Sequence, residues 1–265
     1  MRFALGLEYD GSAFCGWQSQ ANGQAVQDAL ERALAVIADA NIRVQCAGRT
    51  DAGVHAAVQV VHFDTDAKRP LTAWVRGVNA HLPDSVAVRW SCEVSPDFHA
   101  RFSATARHYR YVLLDRDVRP AIGAGRIGWT HWSLDLDAMC DAATRLLGRH
   151  DFSCFRAAEC QAATPVRDLF RAAVSRRGQF VVFEFSANAF LHHMVRNMVG
   201  ALVQIGRGGN DPSWITELLE ARDRARAAPT FSPDGLYLAG VDYPPGLGLP
   251  SEGLIRAEEF GGEWA

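Results

Sequence analysis

The stretch from Val54 to Phe63, Val-His-Ala-Ala-Val-Gln-Val-Val-His-Phe, constrains this chain more than any other. It is rich in β-branched and apolar side chains, so it reads as a strand buried inside a sheet. Just upstream, Ile42, Val44 and Cys46 alternate with Arg43 and Gln45, the period of a half-buried strand. Between the two runs a short turn that carries Arg49 and Asp51, with Gly48 and Gly53 flanking the carboxylate. Glycine lets a backbone turn tightly or lets another segment or a ligand come close. An Asp beside a Gly between strands needs no function to explain it. The combination is more telling. Arg49 and Asp51 are two residues apart, so in extended backbone they face the same way, and a cation beside a carboxylate favours its ionised form.

Length and composition narrow the class. With 265 residues, 29.0 kDa and 48% hydrophobic residues, the chain can bury a sizeable core in one large domain or two modest ones. The apolar start, Met1 to Leu7, is interrupted by Glu8 and Asp10 before a signal peptide could form, and no apolar stretch reaches membrane-spanning length. A cytoplasmic protein without a membrane partner is expected. The six cysteines are expected to be reduced and mostly buried. None forms C-x-x-C, and no His pair has the i, i+4 spacing of a zinc helix, so no metal is expected. A net charge of -3 argues against indiscriminate coating of nucleic acid, so any RNA surface must be local. The most basic stretch holds Arg101, Arg107, Arg110, Arg116, Arg119 and Arg126 against Asp115 and Asp117.

Along the chain, Phe3 to Tyr9 alternates as a strand, and Gln24 to Ala38 places Val26, Leu30, Leu34 and Ile37 on one helical face. A helical segment from Thr72 to Val78 ends at Pro83, and strands follow at Val86 to Trp90 and Tyr109 to Leu114. Further on come a helix from Asp135 to Leu147 stopped by Gly148, and a hairpin of Val166 to Ser175 with Phe180 to Ser186. A long helix begins near Ala189, a shorter one runs from Asp211-Pro212 to Ala221, and Leu236 to Val241 is a last strand. This order predicts an α+β fold of two halves, residues 1–106 and 107–245, with a tail at 246–265. Gly200 in mid-helix costs about 1 kcal/mol relative to alanine, which the close approach of another chain would explain. Gly123 to Gly128 fits G-x-G-x-x-G but lacks the strand and helix of a dinucleotide site, and Gly206 to Gly209 reads as a helix cap.

Gly48-Arg49-Thr50-Asp51-Ala52-Gly53-Val54-His55 resembles the signature of the tRNA pseudouridine synthase A family, whose members isomerise uridine to pseudouridine in the anticodon arm of tRNA. Tyr9-Asp10-Gly11 with Gly16-Trp17-Gln18, the segment Phe98 to Tyr111, and His192 to Gly200 are similar to other motifs of that family. The resemblance covers about residues 1–244 and implies that Asp51 is the catalytic aspartate. It also implies that Tyr109 stacks on or near the target base, that Arg196 pairs with the aspartate, and that Arg49 and Arg196 help fill the space beside an extruded nucleotide. The implied fold has two α/β subdomains with mixed, mainly antiparallel sheets, helices on one side and an active cleft between the halves. The implied enzyme is a homodimer that uses no cofactor, with tRNA as its partner. Pro229-Thr230-Phe231-Ser232-Pro233 departs from the family, which tends to be more compact there. Two rival readings are a non-catalytic RNA-binding protein on the same scaffold, and a hydrolase built on Cys154 and His150.

Overall fold

The computed structural model describes residues 1–250. Of the expected tail, residues 251–265 lie outside the described residues. The described chain divides into two compact units, Met1–Thr105 together with residues 237–250, and Ala106–Leu236.

The first unit opens with β1 (Arg2–Tyr9), α1 (Val26–Ala38), the short β2 (Gln45–Cys46), β3 (His55–Asp64), a π-helical turn at Ala73–Gly77 and β4 (Val86–Val94). One edge of β3 pairs antiparallel with β1, Phe3 facing Phe63 and Leu5 facing Val61, and β4 pairs antiparallel with the far edge of β1. Every residue of β3 except Asp64 is buried, as its apolar run requires. Ile42 and Val44 are buried while Arg43 and Gln45 are exposed, so the alternation holds, yet ladder pairing is confined to Gln45–Cys46. Phe3, Phe63 and Trp74 meet with ring centroids 5.2 to 5.8 Å apart. Burying each such ring stabilises the unit by about 1.5–3 kcal/mol. Asp28, in the first turn of α1, accepts a hydrogen bond from the Ala25 amide at 3.1 Å and so ties down the helix start.

The second unit contains β5 (Ala106–Asp115), β6 (Gly128–Thr130), α2 (Leu136–Thr144), β7 (Gly148–Asp151), β8 (Val166–Arg177), β9 (Phe180–Ala187), α3 (Met194–Gly206) and α4 (Trp214–Ala221). Its strands lie in the order β5-β9-β8-β7, antiparallel throughout, and β6 adds a short parallel pairing to β5. The hairpin expected around Arg177-Gly178 is β8–β9, with Gly178 at φ +55. Across the ladder, Arg110 donates to Glu184 at 2.9 Å, both side chains being buried, and Arg171 donates to the other carboxylate oxygen at 2.7 Å. The last strand, β10 (Leu236–Asp242), returns to the first unit and pairs in parallel with β3, Tyr237 facing His55. A parallel pair needs a long crossover, and a strand's own residues carry no local sign of so distant a partner.

Several boundaries differ from the sequence reading. α2 starts after Asp135, whose carboxylate accepts from the Ala138 amide at 3.0 Å, and it stops at Thr144 because residues 145–147 tighten into i→i+3 turns. Gly148, at φ +100, then opens β7 instead of closing a helix. β6 and β7 are too short for their periodicity to be read. Pro212 lies in a turn ahead of α4 and not at its first residue. Gly206 to Gly209 does form a cap, with Gly208 N donating to Ile205 O and Gly209 N to Gln204 O.

Candidate active site

In the first unit the loop between β2 and β3 carries Arg49 and Asp51. Arg49 is exposed, Thr50 buried and Asp51 half-buried, the alternation of extended chain. Thr50 is the inward anchor. Its hydroxyl meets the Tyr9 hydroxyl at 2.8 Å in a buried hydrogen bond, and its carbonyl accepts from the Trp17 amide at 3.0 Å. On the other side Gln59, fully buried in β3, grips the Gly48 peptide twice, its Nε2 donating to Gly48 O and its Oε1 accepting from Gly48 N. The turn closes with Val54 N donating to Asp51 O at 3.1 Å.

The segment from Tyr9 to Trp17 packs directly on this loop. A Cβ on Gly16, which sits at φ +96, would come 2.8 Å from Thr50 O, and one on Gly11 would come 2.0 Å from Val54 O, so only glycine permits the approach. The Gly11 amide donates to Nδ1 of buried His55 at 3.0 Å, and the His55 ring stacks on Tyr237 with centroids 4.7 Å apart. The Tyr9–Trp17 pattern therefore clamps the backbone that presents Asp51, a role the sequence reading of core aromatics beside a turn did not assign. The other anchor, at Gly48, had an available signal in Gln59, a polar residue within an apolar buried run. Such a group is almost always hydrogen-bonded.

In the second unit Tyr109 lies on β5 opposite Phe185, buried, with its ring edge-on to Phe190 at 5.0 Å. Arg196 is in the first turn of α3, and its Nε donates to Phe231 O at 2.8 Å while the Phe231 amide donates back to Arg196 O. The helix starts at Met194 and not near Ala189, because His193 adopts the left-handed conformation at φ 61, which a right-handed helix does not continue. Leu191, His192 and His193 thus precede α3. The close approach at Gly200 comes from this chain's own 228–231 segment, since a Cβ there would lie 2.5 Å from Pro229 O. The same 228–231 segment is held by buried Asn197, whose Oδ1 accepts from Thr230 Oγ1 at 2.7 Å and from Arg224 at 3.1 Å.

Two expectations change. Cys154 is buried, its thiol pushed up to about 12 by that burial, and His150 Nε2 lies 2.7 Å from Leu147 O, so the Cys-His hydrolase has no reactive thiolate. All six cysteines are free, but Cys154 is the one that is fully buried. The basic stretch is not one surface. Arg107 and Arg110 are buried, Arg107 donating to Asn188 O and Arg110 pairing with Glu184, whereas Arg101, Arg116, Arg119 and Arg126 are exposed.

A family model described as tRNA pseudouridine synthase matches residues 7–103 and 142–244, a span that takes in the Asp51 loop, its Tyr9–Trp17 clamp and α3. The chain belongs to the tRNA pseudouridine synthase family. Among curated proteins, the tRNA pseudouridine synthase A of Dechloromonas aromatica (strain RCB) is 62% identical over 250 residues, 94% of this chain and 95% of that one. That of Thiobacillus denitrificans (strain ATCC 25259 / T1) is 60% identical over 94% of this chain and 96% of its own length. That of Nitrosomonas eutropha (strain DSM 101675 / C91 / Nm57) is 60% identical over 97% and 93%. Among the described residues, no helix is long and apolar enough to cross a membrane.

Proposed function

We propose that this chain isomerises uridine to pseudouridine in the anticodon arm of tRNA, with Asp51 as the catalytic carboxylate and Tyr109, Arg49 and Arg196 as substrate-binding groups. The reaction breaks the bond between ribose C1′ and uracil N1, turns the base, and joins C5 to C1′. The hydrogen on C5 leaves as a proton and N1, freed from the ribose, takes one up, so atoms and charge balance without a redox step or cofactor. Asp51 acts directly on the nucleotide, Tyr109 lies against the target base, and Arg49 and Arg196 favour the ionised carboxylate and occupy the space the base leaves. Extruding a stem nucleotide costs a few kcal/mol, and an aromatic platform worth roughly 1 to 3 kcal/mol helps offset it. The enzyme works as a homodimer in the cytoplasm.

The observation that carries this reading is the Asp51 loop itself. It resembles the family signature over Gly48 to His55 and lies within the span the family model matches, and its backbone is fixed on both sides by Thr50–Tyr9 and Gly48–Gln59. A carboxylate held that way is pre-organised for one geometry. Asp51→Asn keeps shape and removes the charge, so tRNA binding and the fold should persist while release of tritium from uridine C5 in labelled tRNA stops. Release at near the wild-type rate would remove Asp51 from the mechanism and favour a different acid.

A further inference from the structure

Phe102 is 75% exposed, and it is the outermost ring of an aromatic column that starts in the core of the first unit. Tyr243 meets buried Phe98 at 5.4 Å, Phe98 meets buried His62 at 6.0 Å, His62 meets His99 at 4.6 Å, and His99 meets Phe102 at 4.3 Å. A single exposed apolar side chain needs no explanation by itself. Here, however, the ring stands on a turn bonded at nearly every residue. Nδ1 of His99 accepts from the amides of Arg101 and Phe102 at 3.1 and 3.3 Å, the His99 amide donates to Ser103 Oγ, and the Ser103 amide donates to His99 O. Beneath it the Ala100 amide donates to Nδ1 of His62 at 3.1 Å, Tyr243 OH donates to Ala100 O at 2.7 Å, and Arg2 donates to Phe98 O at 2.9 Å.

At this exposed position the Arg101 guanidinium lies over the Phe102 ring, its Cζ 5.6 Å from the centroid. Burial and the nearby Arg2 and Arg101 charges hold His99 below its ordinary value, and burial with His99 and Arg2 pushes His62 down to about 4. At neutral pH both imidazoles are therefore uncharged rings, and the positive charge belongs to Arg101. A protein partner would need a contiguous apolar patch of several hundred Å². Along the chain, Phe102 is flanked by the exposed polar residues Arg101 and Thr105.

We propose that Phe102 is a stacking platform for an unpaired nucleobase of the tRNA, with Arg101 at the adjoining phosphate. A ring already fixed in place loses little conformational freedom on binding, and a π-face accepts any base, so the contact adds affinity without reading sequence. The inference rests on tRNA being the substrate.

The test measures the dissociation constant of full-length protein for an unmodified tRNA transcript at fixed salt and neutral pH, with circular dichroism confirming the fold of each variant. Phe102→Ala and Phe102→Leu should each bind roughly 10-fold more weakly, and Phe102→Trp at least as tightly as wild type. The slope of log affinity against log salt should stay unchanged in all three, whereas Arg101→Gln should lower it by about one. Wild-type affinity in both Ala and Leu variants overturns the platform. Wild-type affinity in the Leu variant alone shows generic apolar contact and overturns it too, as does loss of a dimer by light scattering with tRNA affinity intact. Should the wild-type protein neither bind tRNA nor release tritium, the functional reading itself fails. Should wild type do both while the Phe102 variants match it, only the platform falls.

Discussion

Thr50 turns inward between exposed Arg49 and half-buried Asp51, and its hydroxyl reaches Tyr9, 41 residues away in sequence. A buried hydroxyl pair of this kind contributes about 1 kcal/mol, and leaving one member facing an apolar substitute costs about 1–3 kcal/mol. Thr50→Val is therefore expected to lower unfolding stability by about 1–3 kcal/mol in urea titration. Combined with Tyr9→Phe it should cost less than the sum of the two single changes, because both remove the same bond. A second residue-scale expectation concerns His62. Its folded form titrates at about 4 against an ordinary 6.5, chiefly because it is buried, with His99 and Arg2 adding to the effect and Asp64 opposing it. Between those values the unfolded chain binds more protons than the folded one, so the stability is fully present above about pH 6.5 and is lost as pH falls toward 4. Stability measured at pH 7 and pH 5 should differ in that direction, His99 adding to the same trend. His62→Gln should flatten the dependence, and an equal stability at both pH values in the wild type would contradict a buried neutral His62.

At the scale of elements, α3 shows how a sequence period can be right about a face and wrong about a start. Met194, Met198, Leu202 and Ile205 are buried at the expected spacing, but His193 in the left-handed region fixes the helix start five residues later than the apolar pattern proposes. The opposite face of α3 carries the 228–231 segment, with Arg196, Asn197 and Gly200 each touching it. In an exposed helix Gly→Ala stabilises by about 1 kcal/mol. At Gly200 the added methyl would sit 2.5 Å from Pro229 O, a backbone atom with no flexible side chain to yield, so Gly200→Ala should destabilise by about 1–3 kcal/mol. Thermal unfolding gives the sign directly, and a rise in Tm would mean that the segment moves aside.

For the whole molecule, charge is distributed so that one arginine-rich stretch serves two purposes. Arg110 is locked to Glu184 inside the second unit, while Arg116 and Arg119 face solvent. Removing one partner of a buried pair leaves an uncompensated charge, so Arg110→Met should cost roughly 3 kcal/mol, the low end of the usual range because Arg171 also bonds Glu184. Arg116→Gln and Arg119→Gln should leave stability within about 0.5 kcal/mol. In a chain of net charge -3, tRNA affinity should still fall steeply with salt, and each of the two surface changes should lower the slope by about one. A flat salt dependence in the wild type would show that these arginines do not meet phosphate.

What the sequence determined by itself was local and periodic. The apolar run of β3 had to be buried, the faces of α1 and α3 followed from spacing, and the Gly48 to His55 motif marked the loop that carries Asp51. Gly200 announced a close neighbour because a glycine inside a helix has a cost that something must offset. Tertiary structure alone decided what holds that loop. Gly11, Gly16, Tyr9 and Trp17 meet it across long stretches of chain, and Gln59 reaches back from the next strand. It also decided that β10 joins β3 in parallel and that Arg107 and Arg110 lie inside. Periodicity reports which face of an element is apolar, but a partner brought close only by the completed fold leaves no period in the sequence.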